Sequence, residues 1–317
     1  MKTVRTADLE IPALGFGTYQ LEPAEARRMV AEALRIGYRH VDTAFIYKNE
    51  EGVGQGIGDS GVARDDVFLT TKIWVTNVRD GDLQRQAEES AQRLGQVPDL
   101  LLLHWPKPEP ALEETIKALN DARTRGFAKN IGLSNFPSAL FRKAADLSEA
   151  PLVTNQVEYH PYLSQKTLIE TARDLGSSIT AWSPLAQGKI ADDAVIAEIG
   201  KAHGKTPGQV TLRWIIQQGV IAIPKTASEK RAAENLDIFD FELTADEMAR
   251  IHGLARPEGR IGDWIDPAFE WDQDISQQER DPLGGFDHGL RPGISRGRSG
   301  RRGHRRPAET LARPARR

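Results

Sequence analysis

The chain has 317 residues, 39% of them hydrophobic and about 48% once its 28 glycines are added, which excludes a wholly disordered or collagen-like protein. Cysteine is absent, which excludes disulfide scaffolds, thiol nucleophiles and thiolate-bound metals and suits a reducing cytoplasm. The net charge of −3 splits unevenly: Ser276–Arg317 carries eleven arginines against four acids, about +7, so the remaining body is near −10 and ordinarily acidic.

Short β-prone runs alternate along the chain with longer amphipathic stretches. Thr3–Glu10 reads as a hairpin turning at Ala7-Asp8. The expected strands are Leu14–Gly17, His40–Asp42, Val67–Thr71, Leu100–His104, Asn130–Ser134, Val153–Glu158, Ser178–Trp182 and Val220–Ile223. The expected helices are Pro23–Ile36, Leu83–Leu94 with Asp80 as its cap, Leu112–Arg125, Ser138–Leu147, Gln165–Leu175, Asp192–His203 and Lys230–Leu236. An extra helix is expected near Pro207–Gln218, with Pro207 in its first turn. Strand followed by helix, repeated eight times, implies a parallel sheet.

Two features favour a closed (β/α)8 TIM barrel over an open sheet. The spacing is nearly even, at about 25–30 residues per unit. Chemically capable residues also recur at strand ends: Asp42, Lys72, His104, Asn135, Glu158, Trp182 and Lys225. A barrel gathers those ends on one face, whereas an open sheet spreads them too widely to cooperate. The N-terminal hairpin is then placed to plug the barrel bottom.

The pattern fails from about Asp266. Ser276–Arg317 is rich in Arg, Gly and Pro without periodicity, which predicts a disordered basic tail and a folded domain over residues 1–275. No aromatic residue follows Phe286, so stacking on bases is not expected and no nucleic-acid partner is assigned. No run approaches the ~20 apolar residues of a membrane helix, and Met1–Glu10 lacks a secretory apolar region. The expectation is a cytoplasmic monomer acting on a small molecule, with no membrane partner.

Gly56-Ile57-Gly58-Asp59-Ser60-Gly61 fits the G-x-G-x-x-G pattern of dinucleotide-binding folds. That motif should follow a strand and open a helix. This copy ends a helical stretch and precedes the strand near Val67, so it reads as a helix end and loop. A dinucleotide, if bound, is bound by another route.

Three neighbouring strand ends carry Asp42, Lys72 and His104, and Tyr47 follows Asp42 by five residues. Singly, each has an ordinary structural explanation. Together they form an acid–base set. A phenol with a reference pKa near 10 is a poor acid, and a nearby ammonium lowers that pKa by stabilising the phenolate. A carboxylate keeps the ammonium charged and placed, and an imidazole can donate a hydrogen bond to a carbonyl oxygen. The set could protonate a carbonyl as hydride reaches its carbon.

The runs V-D-T-A-x-x-Y, T-K-x-W, L-L-L-H-W-P, G-L-S-N-F, Q-V-E-Y-H-P, W-S-P-L and I-P-K-T occur in this order between Ile11 and Asp263. They resemble the aldo-keto reductase family, most closely its bacterial 2,5-diketo-D-gluconate reductase-like members. The resemblance implies a (β/α)8 barrel that reduces carbonyls with NADPH and lacks the Rossmann glycine fingerprint. It implies a catalytic tetrad of Asp42, Tyr47, Lys72 and His104, with Tyr47 as proton donor. It assigns Ser134, Asn135 and Gln156 to the nicotinamide carboxamide and Trp182 to stacking on the nicotinamide ring. It places Ser183, Leu185 and Gln187 along the pyrophosphate. Lys225, Thr226, Ser228, Arg231, Glu234 and Asn235 fall at the adenosine 2′-phosphate and adenine. Tyr19, Phe45, Trp74 and Trp105, with His104, would line the substrate mouth, and Trp264, Phe269 and Trp271 could form a partial lid.

Lys225 and Arg231 support the phosphate assignment independently, because both lie near the start of a short helix, where anions are favoured. The expected activity is NADPH-dependent reduction of aldehydes, ketones or keto-sugar acids. The alternative is an NADPH-binding regulatory subunit on the same fold, disfavoured by the absence of a long interaction insert. No metal is expected, since the His-x-His pair typical of metal-dependent barrel hydrolases is missing.

Overall fold

The structure, a computed structural model, describes residues 2–262 and 270–274. Strands β1 (Thr3–Thr6) and β2 (Leu9–Pro12) pair antiparallel from Thr3↔Pro12 to Thr6↔Leu9. Ala7 turns the hairpin at φ 47°. Eight parallel strands follow: β3 (Phe16–Gly17), β4 (His40–Asp42), β5 (Phe68–Ile73), β6 (Leu100–Leu103), β7 (Asn130–Ser134), β8 (Leu152–Glu158), β9 (Ser178–Trp182) and β10 (Ile221–Ala222). Each pairs with its sequence neighbour. The two ends of the sheet meet through Gly15 N–H to Ala222 O (2.8 Å), Ala222 N–H to Ala13 O (2.9 Å) and Gly17 N–H to Pro224 O (3.0 Å). The expected barrel is therefore present.

The first and last strands are shorter than the expected Leu14–Gly17 and Val220–Ile223. They form the seam, where the regular ladder is reduced to isolated bridges, Leu14↔Ala222 and Gly17↔Lys225. The backbones approach closely there: a Cβ on Gly17 would lie 2.9 Å from Ile223 O.

The helices are α1 (Pro23–Ile36), α2 (Glu50–Asp59), α3 (Asp82–Leu94), α4 (Leu112–Thr124), α5 (Ser138–Leu147), α6 (Lys166–Asp174), α7 (Ala194–His203), α8 (Pro207–Gln217), α9 (Glu229–Leu236) and α10 (Ala245–His252). Helix α10 was not anticipated, although its capping box is legible as Thr244-x-x-Glu247. Glu247 N–H bonds Thr244 Oγ1 at 3.2 Å and Thr244 N–H bonds Glu247 Oε2 at 2.8 Å. Asp80 does not cap α3. Gly81 precedes the helix, its N–H bonds the Gln84 side chain at 2.7 Å, and Asp80 instead accepts from Gln84 Nε2.

In the glycine run, Gly56 serves packing, while a Cβ on Gly58 or Gly61 would meet nothing within 4 Å. Gly56 lies within α2, and a Cβ there would meet Arg27 O at 2.5 Å, while one on Gly52 would meet Pro23 O at 2.1 Å. Helix α2 thus lies directly on the α1 backbone.

Strand alternation separates two cores. Leu69, Ile73, Leu101 and Leu103 face outward against the helices, whereas Leu100, Leu102, Val153, Ile221 and Ile223 fill the barrel with Ile11. Val4 and Leu9 of the hairpin pack against this inner cluster. Thr6 Oγ1 donates to Val153 O at 2.7 Å, near the start of β8. The hairpin plugs the bottom, which leaves the strand C-terminal ends as the face open to chemistry. Among the described residues, no helix is long and apolar enough to cross a membrane.

Candidate active site

The alternation that turns Leu100 and Leu102 inward also turns His104 inward, two residues on. In β5 it turns Lys72 inward, and in β4 Asp42. Lys72 is wholly buried, Asp42 is 2% exposed and His104 8%. Lys72 Nζ donates to Asp42 Oδ1 at 2.6 Å and to Thr43 O at 2.8 Å. A buried ammonium needs such partners, since desolvation alone would drive off its proton.

Tyr47 sits on a single 3₁₀ turn, Phe45–Tyr47, after β4. Its ring lies 5.8 Å from that of His104, and Lys72 Nζ lies 5.1 Å from its centroid. The turn is clamped by Asn49, whose Oδ1 accepts from Thr43 Oγ1 at 2.7 Å. Asn49 Nδ2 donates to Thr18 O and Leu21 O at 2.9 Å. The neighbouring Glu50 accepts from Thr71 Oγ1 at 2.6 Å and Arg93 Nε at 2.8 Å. Neither Asn49 nor Glu50 was singled out in the sequence. Their signal was position alone, two and three residues after Tyr47.

The Tyr47 phenol is held well above its ordinary value, by burial first and then by Asp42 and Tyr19. Burial pushes Lys72 down, while Asp42 and then Glu50 pull it back up. Burial, and then Lys72, push His104 well below its ordinary value. Tyr47 therefore keeps its proton and His104 is neutral at neutral pH.

A second cluster joins the first. Gln156 Nε2 donates to Asp42 Oδ2 at 2.7 Å. Ser134 Oγ donates to Gln156 O at 2.8 Å, and Asn135 Nδ2 donates to His104 O at 2.9 Å. Trp182 Nε1 donates to Asn135 Oδ1 at 2.9 Å. After Trp182 the chain enters the left-handed region at Ser183 (φ 48°), Ala186 (48°) and Gln187 (54°), which bends the Leu185-containing loop sharply.

Lys225, Thr226 and Ser228 lead into α9, Arg231 stands in its first turn, and Glu234 and Asn235 stand in its last. Ser228 caps the helix by accepting from Arg231 N–H at 3.3 Å, and Thr226 Oγ1 accepts from Ser228 N–H at 3.0 Å. Lys225 and Arg231 are exposed, and no ion pair holds either among the described residues. Two uncommitted cations at a helix start form a donor set that suits a phosphate dianion. Asn235 is buried, and the Glu234 carboxylate accepts from Thr206 Oγ1 at 2.8 Å.

At the mouth, the Trp74 ring stands 5.2 Å from His104 and the Tyr19 ring 5.1 Å from Tyr47. Phe45 is covered by the Arg93 guanidinium at 4.8 Å. Trp105 is only 5% exposed, and its ring lies 6.2 Å from Trp271. Trp264 and Phe269 lie outside the described residues. Beyond Trp271, the segment 270–274 makes contacts that sequence reasoning missed. Asp272 Oδ2 accepts from Ser138 N–H at 2.9 Å and Asp274 Oδ1 from Thr167 N–H at 3.1 Å, at the first turns of α5 and α6.

The chain is similar to known proteins along most of its length. Residues 13–256 match the profile of the Aldo/keto reductase family. A glyoxal reductase of Bacillus subtilis is 41% identical over 256 residues, covering 80% of this chain and 92% of the relative. A crystal structure assigned provisionally as a 2,5-diketo-D-gluconic acid reductase B superposes with a TM-score of 0.83. It is 49% identical and covers 86% of this chain and 98% of its own. A Bombyx mori aldo-keto reductase solved with NADP has a TM-score of 0.76 at 33% identity, covering 84% and 97%. The barrel, the strand-end cluster and these likenesses agree that the chain belongs to the aldo/keto reductase family.

Proposed function

We propose that this protein reduces a small carbonyl compound (an aldehyde, a ketone or a keto-sugar acid) with NADPH, and that Tyr47 supplies the proton. The observation that carries the reading is the continuous contact from Tyr47 through Lys72 and Asp42 to Gln156, which joins an acid–base group to a platform of polar side chains. The nucleotide fits the residues present: Ser134, Asn135 and Gln156 at the carboxamide, Trp182 under the ring, and Ser183, Leu185 and Gln187 along the pyrophosphate. Lys225, Thr226, Ser228, Arg231, Glu234 and Asn235 would hold the 2′-phosphate and adenine. When bound, NADPH supplies hydride to the carbonyl carbon.

The protein's part is positioning and proton transfer. Neutral His104 donates one N–H to the carbonyl oxygen and orients it. Tyr47, protonated because its enclosed position disfavours the phenolate, gives its proton to that oxygen as negative charge develops. The phenolate left behind faces the Lys72 ammonium, which stabilises it. Asp42 keeps that ammonium charged in its buried position. Tyr19, Trp74 and Trp105 shape the mouth above.

The test is NADPH oxidation on adding glyoxal, 2,5-diketo-D-gluconate or an aromatic aldehyde, with kcat/KM compared across the panel. Turnover supports the reading. Tight NADPH binding with no turnover on any carbonyl would favour the regulatory-subunit alternative.

A further inference from the structure

Glu158 ends β8, two residues beyond Gln156, and pairs directly with Trp182 in the sheet register. It is wholly buried. A carboxylate in that position is strongly unfavourable unless donors surround it. Its donors are not barrel residues of the chemical cluster. Oε1 accepts from Ile261 N–H at 2.7 Å and from His160 Nε2 at 2.9 Å, and Oε2 accepts from Gly262 N–H at 2.8 Å. Two of these three are backbone amides of a segment more than a hundred residues downstream, and Arg260 of the same segment pairs with Oε2 at 4.0 Å.

That segment is laid down tightly. Arg256 N–H bonds Tyr162 O at 3.1 Å, and a Cβ on Gly259 would lie 1.7 Å from the same oxygen. At Gly262 the backbone reaches the edge of the Trp182 indole, where a Cβ would lie 2.1 Å from Cη2. On its other side the indole is fixed by Nε1 to Asn135. The ring is therefore held by Asn135 on one side and bordered by Gly262 on the other, and Glu158 binds the Ile261–Gly262 amides.

We propose that Glu158 is a positioning residue for the nicotinamide platform: it pins Gly262, and Gly262 sets the plane of the Trp182 ring. This inference rests on the reading above, in which Trp182 stacks on the cofactor.

Glu158→Gln tests it. The amide keeps one acceptor oxygen but turns an NH₂ towards one of the backbone N–H groups, so one anchor is lost. NADPH Kd is expected to rise about tenfold, roughly 1.4 kcal/mol. Gly262→Ala should produce a similar loss by pushing the indole instead of releasing it. A merely structural role is separated by a double-mutant cycle with Trp182→Ala, read on NADPH Kd. If Glu158 acts through Trp182, its substitution adds little once the indole is gone, and the two losses are strongly non-additive. Additive losses, or an NADPH Kd for Glu158→Gln within twofold of the parent in a protein with unchanged far-UV circular dichroism, would overturn the inference. A parent protein that neither binds NADPH nor reduces carbonyls would instead overturn the functional reading.

Discussion

Gln156 and Asp42 are 114 residues apart in sequence, yet the Gln156 amide donates to Asp42 Oδ2 at 2.7 Å while Lys72 occupies Oδ1 at 2.6 Å. One buried carboxylate thus serves both the acid–base group and the platform assigned to the cofactor. The barrel makes this possible, because strands β4, β5 and β8 all deliver inward-facing residues to the same end.

Asp42→Ala should therefore damage two functions at once. It leaves the Lys72 ammonium buried without its counter-ion, and breaking such a pair costs about 3–5 kcal/mol. At roughly 2–4 °C per kcal/mol for a barrel of this size, Tm should fall on the order of 10 °C. Lys72, already pushed down by burial, should lose its proton more readily still, and reduction should fail even where the fold survives. A melting curve and a pH–rate profile check both effects. An unchanged Tm would mean the pair contributes nothing to stability.

Tyr47→Phe keeps the ring between Tyr19 and His104 and removes only the hydroxyl. Reduction should drop about 10²–10⁴-fold, while NADPH Kd stays within error. Stopped-flow measurement of NADPH oxidation, beside a fluorescence titration, separates the two. A variant with more than half its activity would remove Tyr47 from the mechanism.

His40 and His104 should make the protein acid-sensitive. Burial lowers His40 to about 4 and His104 well below 6.5. Below pH ~6.5 the unfolded chain binds protons that the folded one refuses, so stability is fully present above that pH and is lost as pH falls towards 4. At pH ~4.5 His40 alone accounts for about 2–3 kcal/mol. Urea unfolding from pH 7 to 4.5 should show the decline, and His40→Gln should flatten it. A flat profile in the parent would contradict the burial of both rings.

The strand order, most of the helices, the bottom hairpin and the residues of the cluster were legible because short β-prone runs recur at nearly even spacing and end in polar residues. What was not legible depends on contacts distant in sequence. How strongly burial raises the Tyr47 phenol was not legible, because the sequence shows that Lys72 is near but not how far the site is enclosed. Glu158 is visible in the strand, but its partners, Ile261 and Gly262, are known only once the chain has closed the barrel and crossed back. Asp272 and Asp274 sit in a stretch with no periodicity. Their use at α5 and α6 follows from where that stretch lands.

Arg231→Ala should separate the two nicotinamide cofactors. A charged hydrogen bond to phosphate contributes about 1.5–3 kcal/mol, so NADPH should bind roughly tenfold or more weakly. NADH, without the 2′-phosphate, should be nearly unaffected. Lys225→Ala should behave alike. Equal losses for both cofactors would move the phosphate elsewhere.

We place the end of the folded domain at Ile275, and two truncations test that boundary. Removing Ser276–Arg317 takes away none of the contacts made by Trp271, Asp272 and Asp274. Tm and kcat should stay within error. Removing everything after Asp263 is different. It strips Trp271 from Trp105, and it takes the carboxylates from the first turns of α5 and α6, where the preceding residues Pro137 and Gln165 provide no side-chain cap. Each lost cap costs about 0.5–2 kcal/mol, so the shorter chain should melt several degrees lower. Its KM should rise for bulky carbonyls more than for glyoxal, because the Trp105 side of the mouth is uncovered. NADPH affinity should be nearly unchanged, since Glu158, Ile261 and Gly262 all remain. A tenfold fall in kcat on removing Ser276–Arg317 alone would show that the domain extends past Ile275.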